Sequence, residues 1–223
     1  MWRLSASWEV GELIPTKEEM AEALAMRQGR QLQARFSAAT VAVCGLGGLG
    51  SHIAMALARA GIGKLILLDF DRVDVTNLHR QQYKASQVGQ YKTQALSENL
   101  KEAAPYVELE AHAVRITEKN AVQLLKEADI ICEAFDCPEA KAMLANIVLE
   151  AMPEQFLVAA SGMAGLDSAN GIRTRKVTGR FYLCGDEVSE VAAGAGLVSS
   201  RVMLCAAHQA HMVLRILAGK LEP

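Results

Sequence analysis

Long hydrophobic runs are missing from this chain. Although 51% of its 223 residues are hydrophobic, none form the uninterrupted stretch of about 18 that a spanning helix needs, so no membrane segment is expected. The opening MWRLSASWEVGELIP has one early Arg but no apolar core segment, which excludes a signal peptide as the reading of that stretch. There is no CxxC pair. The five cysteines stand singly at 44, 132, 137, 184 and 205, so neither a disulfide framework nor a four-thiolate zinc site is expected, and a reducing cytoplasm fits. Charge of one sign is lacking too: a net charge of −2 gives no general pull toward nucleic acid or an anionic membrane. Repeats and low-complexity segments are absent.

What is present is alternation. Residues 15–33 are charged and helix-prone, with a break expected at Gly29. Then TVAVC reads as a strand, SHIAMALARAG as a helix, and KLILLD as a second strand. The polar stretch to Gln90 reads as loop. YKTQALSENLKEA follows as a helix, VELEAHAV as a strand, and TEKNAVQLLKEA as a helix capped by Thr117. ADIICEAF and FLVAASG read as strands on either side of the helix CPEAKAMLANIVLEAM, whose Pro138 lies in the first turn, where a missing N–H costs nothing. SANGIRTRKVTGRFYLCG suggests a hairpin, with the residues before the last helix laid across one sheet face, and residues 199–219 form that helix. Such a chain predicts an α/β fold: a doubly wound, Rossmann-like, mostly parallel sheet with helices on both faces and a short antiparallel C-terminal extension. Residues 1–36 are expected to be an N-terminal helical segment and 37–223 a single nucleotide-binding domain.

GLGGLG follows the first strand and opens a helix. Gly45 suits the tight turn, Gly47 the approach of a phosphate, and Gly50 close helix–strand packing, with Gly48 opening the loop further. The helix N-terminus offers free N–H groups to an anion. Asp69, at the end of the next strand, stands where an acid binds a ribose diol. These features suit NAD and ATP equally. The segment DFDRVDVTNLHRQ separates them. Asp71, Asn77, Arg80 and Gln81, followed by Lys92, form a polar and cationic set that hydride transfer does not need. A triphosphate whose pyrophosphate leaves does need it, because preorganised cations stabilise the developing charge.

CGLGGLGS, DFDRVDVTNLHRQ, VGQYK and EAFD together resemble the ubiquitin-activating enzyme superfamily, in particular its bacterial ThiF and MoeB branch; Thr76 stands where that pattern usually has Ser. The likeness runs from Arg27 onward. It implies adenylation of the C-terminal glycine carboxylate of a small ubiquitin-like sulfur-carrier protein ending in Gly-Gly, with a separate sulfur donor protein taking the product further. It also implies ATP and Mg²⁺, with the four glycines on the phosphate side, Asp69 on the ribose, Asn77, Arg80 and Lys92 facing phosphates, and Asp136 holding Mg²⁺. On the residues alone, Asp136 reads as a helix N-cap. RQGRQL resembles the family's N-terminal segment whose arginine enters the partner's site, so Arg30, or Arg27 as the alternative, implies a homodimer.

The chain departs from many relatives in lacking their zinc-binding CxxC pairs. Cys184 in FYLCGD is the one candidate for a sulfur-linked cysteine, and a metal shared by Cys184, Cys205, His208 and His211 is not favoured, because the last three fall on one apolar helix. The short crossover segment resembles compact, zinc-free ThiF-like proteins and tilts the pathway toward thiamine. No catalytic-cysteine or rhodanese domain is seen, so the reaction is expected to stop at adenylation. Alternatives are a MoeB-like role in molybdopterin synthesis, a tRNA-modifying dehydratase of the same family (disfavoured by the balanced charge), an NAD-dependent oxidoreductase, and a non-catalytic scaffold.

Overall fold

The computed structural model describes residues 14–191 and 196–223. The opening stretch 1–13 and residues 192–195 of the crossover segment, on both of which the sequence carried expectations, lie outside the described residues.

The chain opens with α1 (Lys17–Gln28), started by a capping box in which Thr16 and Glu19 satisfy each other's backbone N–H. Gly29 separates it from α2 (Arg30–Ala38), which runs five residues beyond the expected end and buries Phe36. Next come β1 (Thr40–Cys44), α3 (Gly48–Ala60), β2 (Lys64–Leu68), α4 (Lys92–Ala103), β3 (Glu108–His112), α5 (Ala121–Leu125), β4 (Ile130–Glu133), α6 (Pro138–Ala151), β5 (Phe156–Ala160), β6 (Arg173–Thr178), β7 (Phe181–Gly185) and α7 (Ser199–Leu217). The described strands form one sheet in the order β3-β2-β1-β4-β5-β7-β6, parallel except for the β6–β7 hairpin.

Strand alternation sends side chains to two faces. Val41, Val43, Leu65, Leu67 and Val158 meet α3, α4 and α7 through Ile53, Leu57, Leu96 and Val213. Ala42, Ile66, Leu68, Ile131 and Leu157 meet α5 and α6 through Leu125, Leu144 and Val148. Near-continuous apolar strands such as KLILL are what burial on both faces requires. The doubly wound sheet expected from the sequence is therefore the observed one.

Three local expectations are corrected. TEKNAVQLLKEA is helical only over Ala121–Leu125, because Asn120 turns its side chain back to the N–H of Thr117 and the O of Arg115. The position capping α6 is Cys137, not Asp136. The hairpin does not lie across a sheet face. It extends the sheet edge-on, because β7 pairs parallel with β5 and β6 folds back on β7.

Beyond β7 the chain is pinned by Asp186, whose Oδ1 accepts N–H groups from Val188 (3.0 Å) and Ser189 (2.8 Å) and the Ser189 hydroxyl, while its other oxygen pairs with Arg201 of α7. Burial alone raises this carboxyl, but the Ser189 and Val188 N–H groups, the Ser189 hydroxyl and Arg201 outweigh it and bring it to about 2. A depressed carboxyl stabilises the fold above its unfolded value of 3.8, and that contribution is lost as pH falls through about 2. Asp186→Asn should therefore lower the melting temperature at neutral pH and flatten its decline over the same acid range. A melting curve against pH that matches wild type would contradict this.

Candidate functional site

The carboxyl ends of β1, β2 and β4 open onto a cleft of about 340 Å³, a size that suits a small ligand. It lies outside the strand ends, where open α/β sheets bind ligands. Gly45, Gly47 and Gly48 form its floor at the start of α3, and no side chain among the described residues caps that helix, so its first N–H groups remain available to a ligand. Gly45 has φ +90°, a conformation that glycine supplies without strain. Gly50 does not line the cleft. It lies beneath, and a Cβ there would stand 1.8 Å from the Gly45 carbonyl oxygen.

The polar segment after β2 folds back across this turn. Gln82 N–H donates to Ser51 Oγ (3.1 Å), Ser51 Oγ donates to the Gly47 carbonyl (2.7 Å), and Tyr83 OH donates to the Leu46 carbonyl (2.7 Å). Burial, reinforced by Asp69 and Asp71, raises the Tyr83 phenol, so it stays a donor at neutral pH. These ties bring Asn77, Arg80 and Gln81 to the cleft. A Cβ on Gly48 would lie 3.7 Å from Arg80 Cγ, and one on Gly47 the same distance from Gln81 Nε2. Arg80 is held by the Asn77 side-chain oxygen (2.8 Å), while its Nε has no partner among the described residues. Gln81 Oε1 is likewise buried and unpartnered.

Asp69 is buried, and each of its oxygens accepts one backbone N–H: Leu46 at 2.6 Å and Asp71 at 2.7 Å. A carboxylate accepts about four hydrogen bonds, so capacity remains for a diol on the cleft side. Lys92, at the first turn of α4, is buried with Nζ 2.9 Å from Asp71 and 3.9 Å from Asp69. Across the cleft, the exposed Asp136 carboxylate makes no hydrogen bond among the described residues.

Two expected residues stand elsewhere. Arg30 is exposed on α2, paired with Glu22 at 2.8 Å, and is not brought to the cleft of its own chain. Cys184 is buried in β7, where loss of solvent pushes its thiol up to about 12 despite a contact from Thr174, far from the ionisation a sulfur nucleophile needs. Cys205 donates to the Cys184 carbonyl and His208 bonds Thr174, and among the described residues no three His, Cys, Asp or Glu side chains gather to hold a metal.

Sequence reasoning missed two features of the cleft. Arg115 lies over the Phe70 ring, 3.9 Å from its centroid, and the two form a flat wall. Lys141 of α6 also lines the cleft. Phe70 is adjacent to the expected acid, but Arg115 arrives from the loop after β3, and no local spacing links them.

A family model described as the ThiF family matches residues 20–223. A sulfur carrier protein adenylyltransferase of Thermus thermophilus is 36% identical over 126 residues, 54% of this chain and 46% of that protein. An adenylyltransferase and sulfurtransferase of Caenorhabditis briggsae is 42% identical over 97 residues, 43% of this chain and 24% of that one. The matches thus span less than half the length of these relatives. The ATP complex of the E. coli tRNA N6-threonylcarbamoyladenosine dehydratase superposes with a TM-score of 0.81 at 22% identity, covering 93% of this chain and 98% of that one. That is a likeness of fold.

Proposed function

The chain belongs to the ThiF family, and from that premise we propose that it is an adenylyltransferase acting on the C-terminal glycine carboxylate of a small ubiquitin-like sulfur-carrier protein. The observation that carries this reading is the meeting, in one cleft, of a glycine turn at a helix N-terminus, Asn77 with Arg80, Lys92 and the exposed Asp136. These come from four separate parts of the chain and share no packing purpose.

The nucleotide's adenosine lies toward Phe70, Arg115 and Asp69, and its phosphates lie on the α3 N-terminus. The carrier's carboxylate is already ionised at neutral pH, so no general base is required. It attacks the α-phosphorus, an acyl-adenylate forms, and pyrophosphate leaves. Arg80 and Lys92 stabilise the charge that builds on the leaving group, and the site acts by positioning and preorganised charge. Gln81 helps to orient the phosphates. Asp136 fits Mg²⁺, because this ion takes one or two carboxylates and fills its remaining positions with phosphate oxygens and water. The ion would supply charge neutralisation on the triphosphate. Arg30 completes the site of a second copy in a homodimer, which accounts for its distance from its own cleft. A sulfur donor protein then converts the acyl-adenylate, and the compact, zinc-free sequence favours thiamine synthesis as the pathway.

Pyrophosphate exchange into ATP tests this reading. Exchange is expected only when a carrier ending in Gly-Gly is added. Exchange that needs tRNA instead would assign the chain to RNA modification, and failure to bind ATP would overturn the adenylyltransferase reading altogether.

A further inference from the structure

β4 and β5 part company just below the cleft. Their ladder runs Ile130↔Phe156, Ile131↔Leu157 and Cys132↔Val158, then stops. Neither strand leaves the sheet there. β4 stays paired with β1 through Cys44↔Glu133, and β5 stays paired with β7 through Ala160↔Cys184. The sheet is therefore unzipped locally between two strands that are fixed on their outer sides.

The opening is bridged from both faces. Gln209, fully buried on α7, donates its amide N–H groups to the carbonyls of Glu133 (2.9 Å) and Val158 (3.1 Å). Its own oxygen has no partner among the described residues. From the opposite face, Lys141 of α6 donates to both Glu133 carboxylate oxygens (3.0 and 2.9 Å) and to the Ala160 carbonyl (3.0 Å). The three donors of the ammonium are thus matched by three acceptors. Glu133 in turn accepts the Phe135 N–H at 2.7 Å, which sets the turn leading to Asp136. Burying an acid and an amide, and half-burying a lysine, between two interior strands costs free energy that a continued ladder would not. Tied to both strands from both faces, however, the network fixes the distance between two loops.

Those loops are the two walls of one end of the cleft: Ala134–Asp136 after β4, and Gly162–Ala164 after β5. The glycine turn and the Phe70–Arg115 wall occupy the β1–β2–β3 end, so the end over β4 and β5 is left for the group that is adenylated. We infer that Gln209 and Lys141 are positioning residues that hold β4 and β5 apart and so set the slot in which the acyl carboxylate of the substrate meets the nucleotide. This inference rests on the adenylyltransferase reading above.

The test compares Gln209→Leu and the uncharged double variant Lys141→Met/Glu133→Gln with wild type, using a Gly-Gly-ending carrier as the acyl substrate. For Gln209→Leu, which does not line the cleft, ATP affinity by calorimetry should be unchanged; in both variants kcat for carrier-dependent exchange at saturating ATP should fall on the order of 10²-fold, as small displacements from attack geometry do. Lys141→Arg, which keeps the donors, should restore it. Unchanged kcat in both variants would overturn the inference. Equal losses of ATP affinity and kcat in Gln209→Leu would overturn it too, since they would mark a general structural role. Absence of exchange in wild type would overturn the underlying reading, and this one with it.

Discussion

Asp136→Ala and Arg80→Ala should each lower turnover on the order of 10²–10³-fold, about 3–4 kcal/mol of transition-state stabilisation, while the melting temperature stays near that of wild type. The two residues have little structural work to lose. Asp136 is exposed and makes no hydrogen bond among the described residues, and the cap of α6 that it was expected to provide belongs to Cys137. Arg80 is oriented by Asn77, but its Nε has no partner among the described residues. Both side chains face a cleft, and both pay off only when a phosphate is present. Lys92 makes a poorer probe, because it is buried against Asp71 and Asp69, and its removal would leave those carboxylates uncompensated. Steady-state exchange rates together with thermal melts check the expectation. Either variant with wild-type exchange would remove that residue from the reaction.

Gly50→Ala should abolish measurable ATP binding and lower the melting temperature. The added methyl would meet the Gly45 carbonyl oxygen at 1.8 Å and its carbonyl carbon at 2.9 Å. Both are backbone atoms of the turn itself, so no side chain can swing away. α3 must shift off β1, at a cost of a few kcal/mol typical of overpacking, about 1–3 or more. The same shift moves the N–H groups that face the phosphates. Calorimetry with ATP and a thermal melt read the two effects separately. Wild-type values in both would show that this glycine does not set the turn.

Much of this was legible in the sequence because it rests on local pattern. TVAVC, KLILL and FLVAA are short, apolar and bounded by glycine or polar residues, and each is a strand at the expected place. The order of Gly45, Asp69, Asn77, Arg80, Lys92 and Asp136 along the chain pointed to one nucleotide site, and the sheet brings all six to one cleft. What escaped depends on contacts between distant segments. The stack of Arg115 on Phe70, the Tyr83 hydroxyl on the turn, and the Lys141 and Gln209 bridges join residues that no spacing rule connects. Asn120 stopping a helix that its neighbours favour is a local competition between side chain and backbone, which periodicity does not register. Cys184 was a candidate only through the place that the family resemblance gives it; its burial follows from β7 lying inside the sheet, between β5 and β6.

The central claim concerns which bond of ATP breaks. ATP labelled at the α-phosphate, incubated with the protein, Mg²⁺ and a carrier ending in Gly-Gly, should place label on the carrier's C-terminus in a form released as AMP by an added nucleophile, with pyrophosphate as the other product. ATP labelled at the γ-phosphate should leave the carrier unlabelled. Label from the γ-phosphate on the carrier, or ADP in place of pyrophosphate and AMP, would contradict the account.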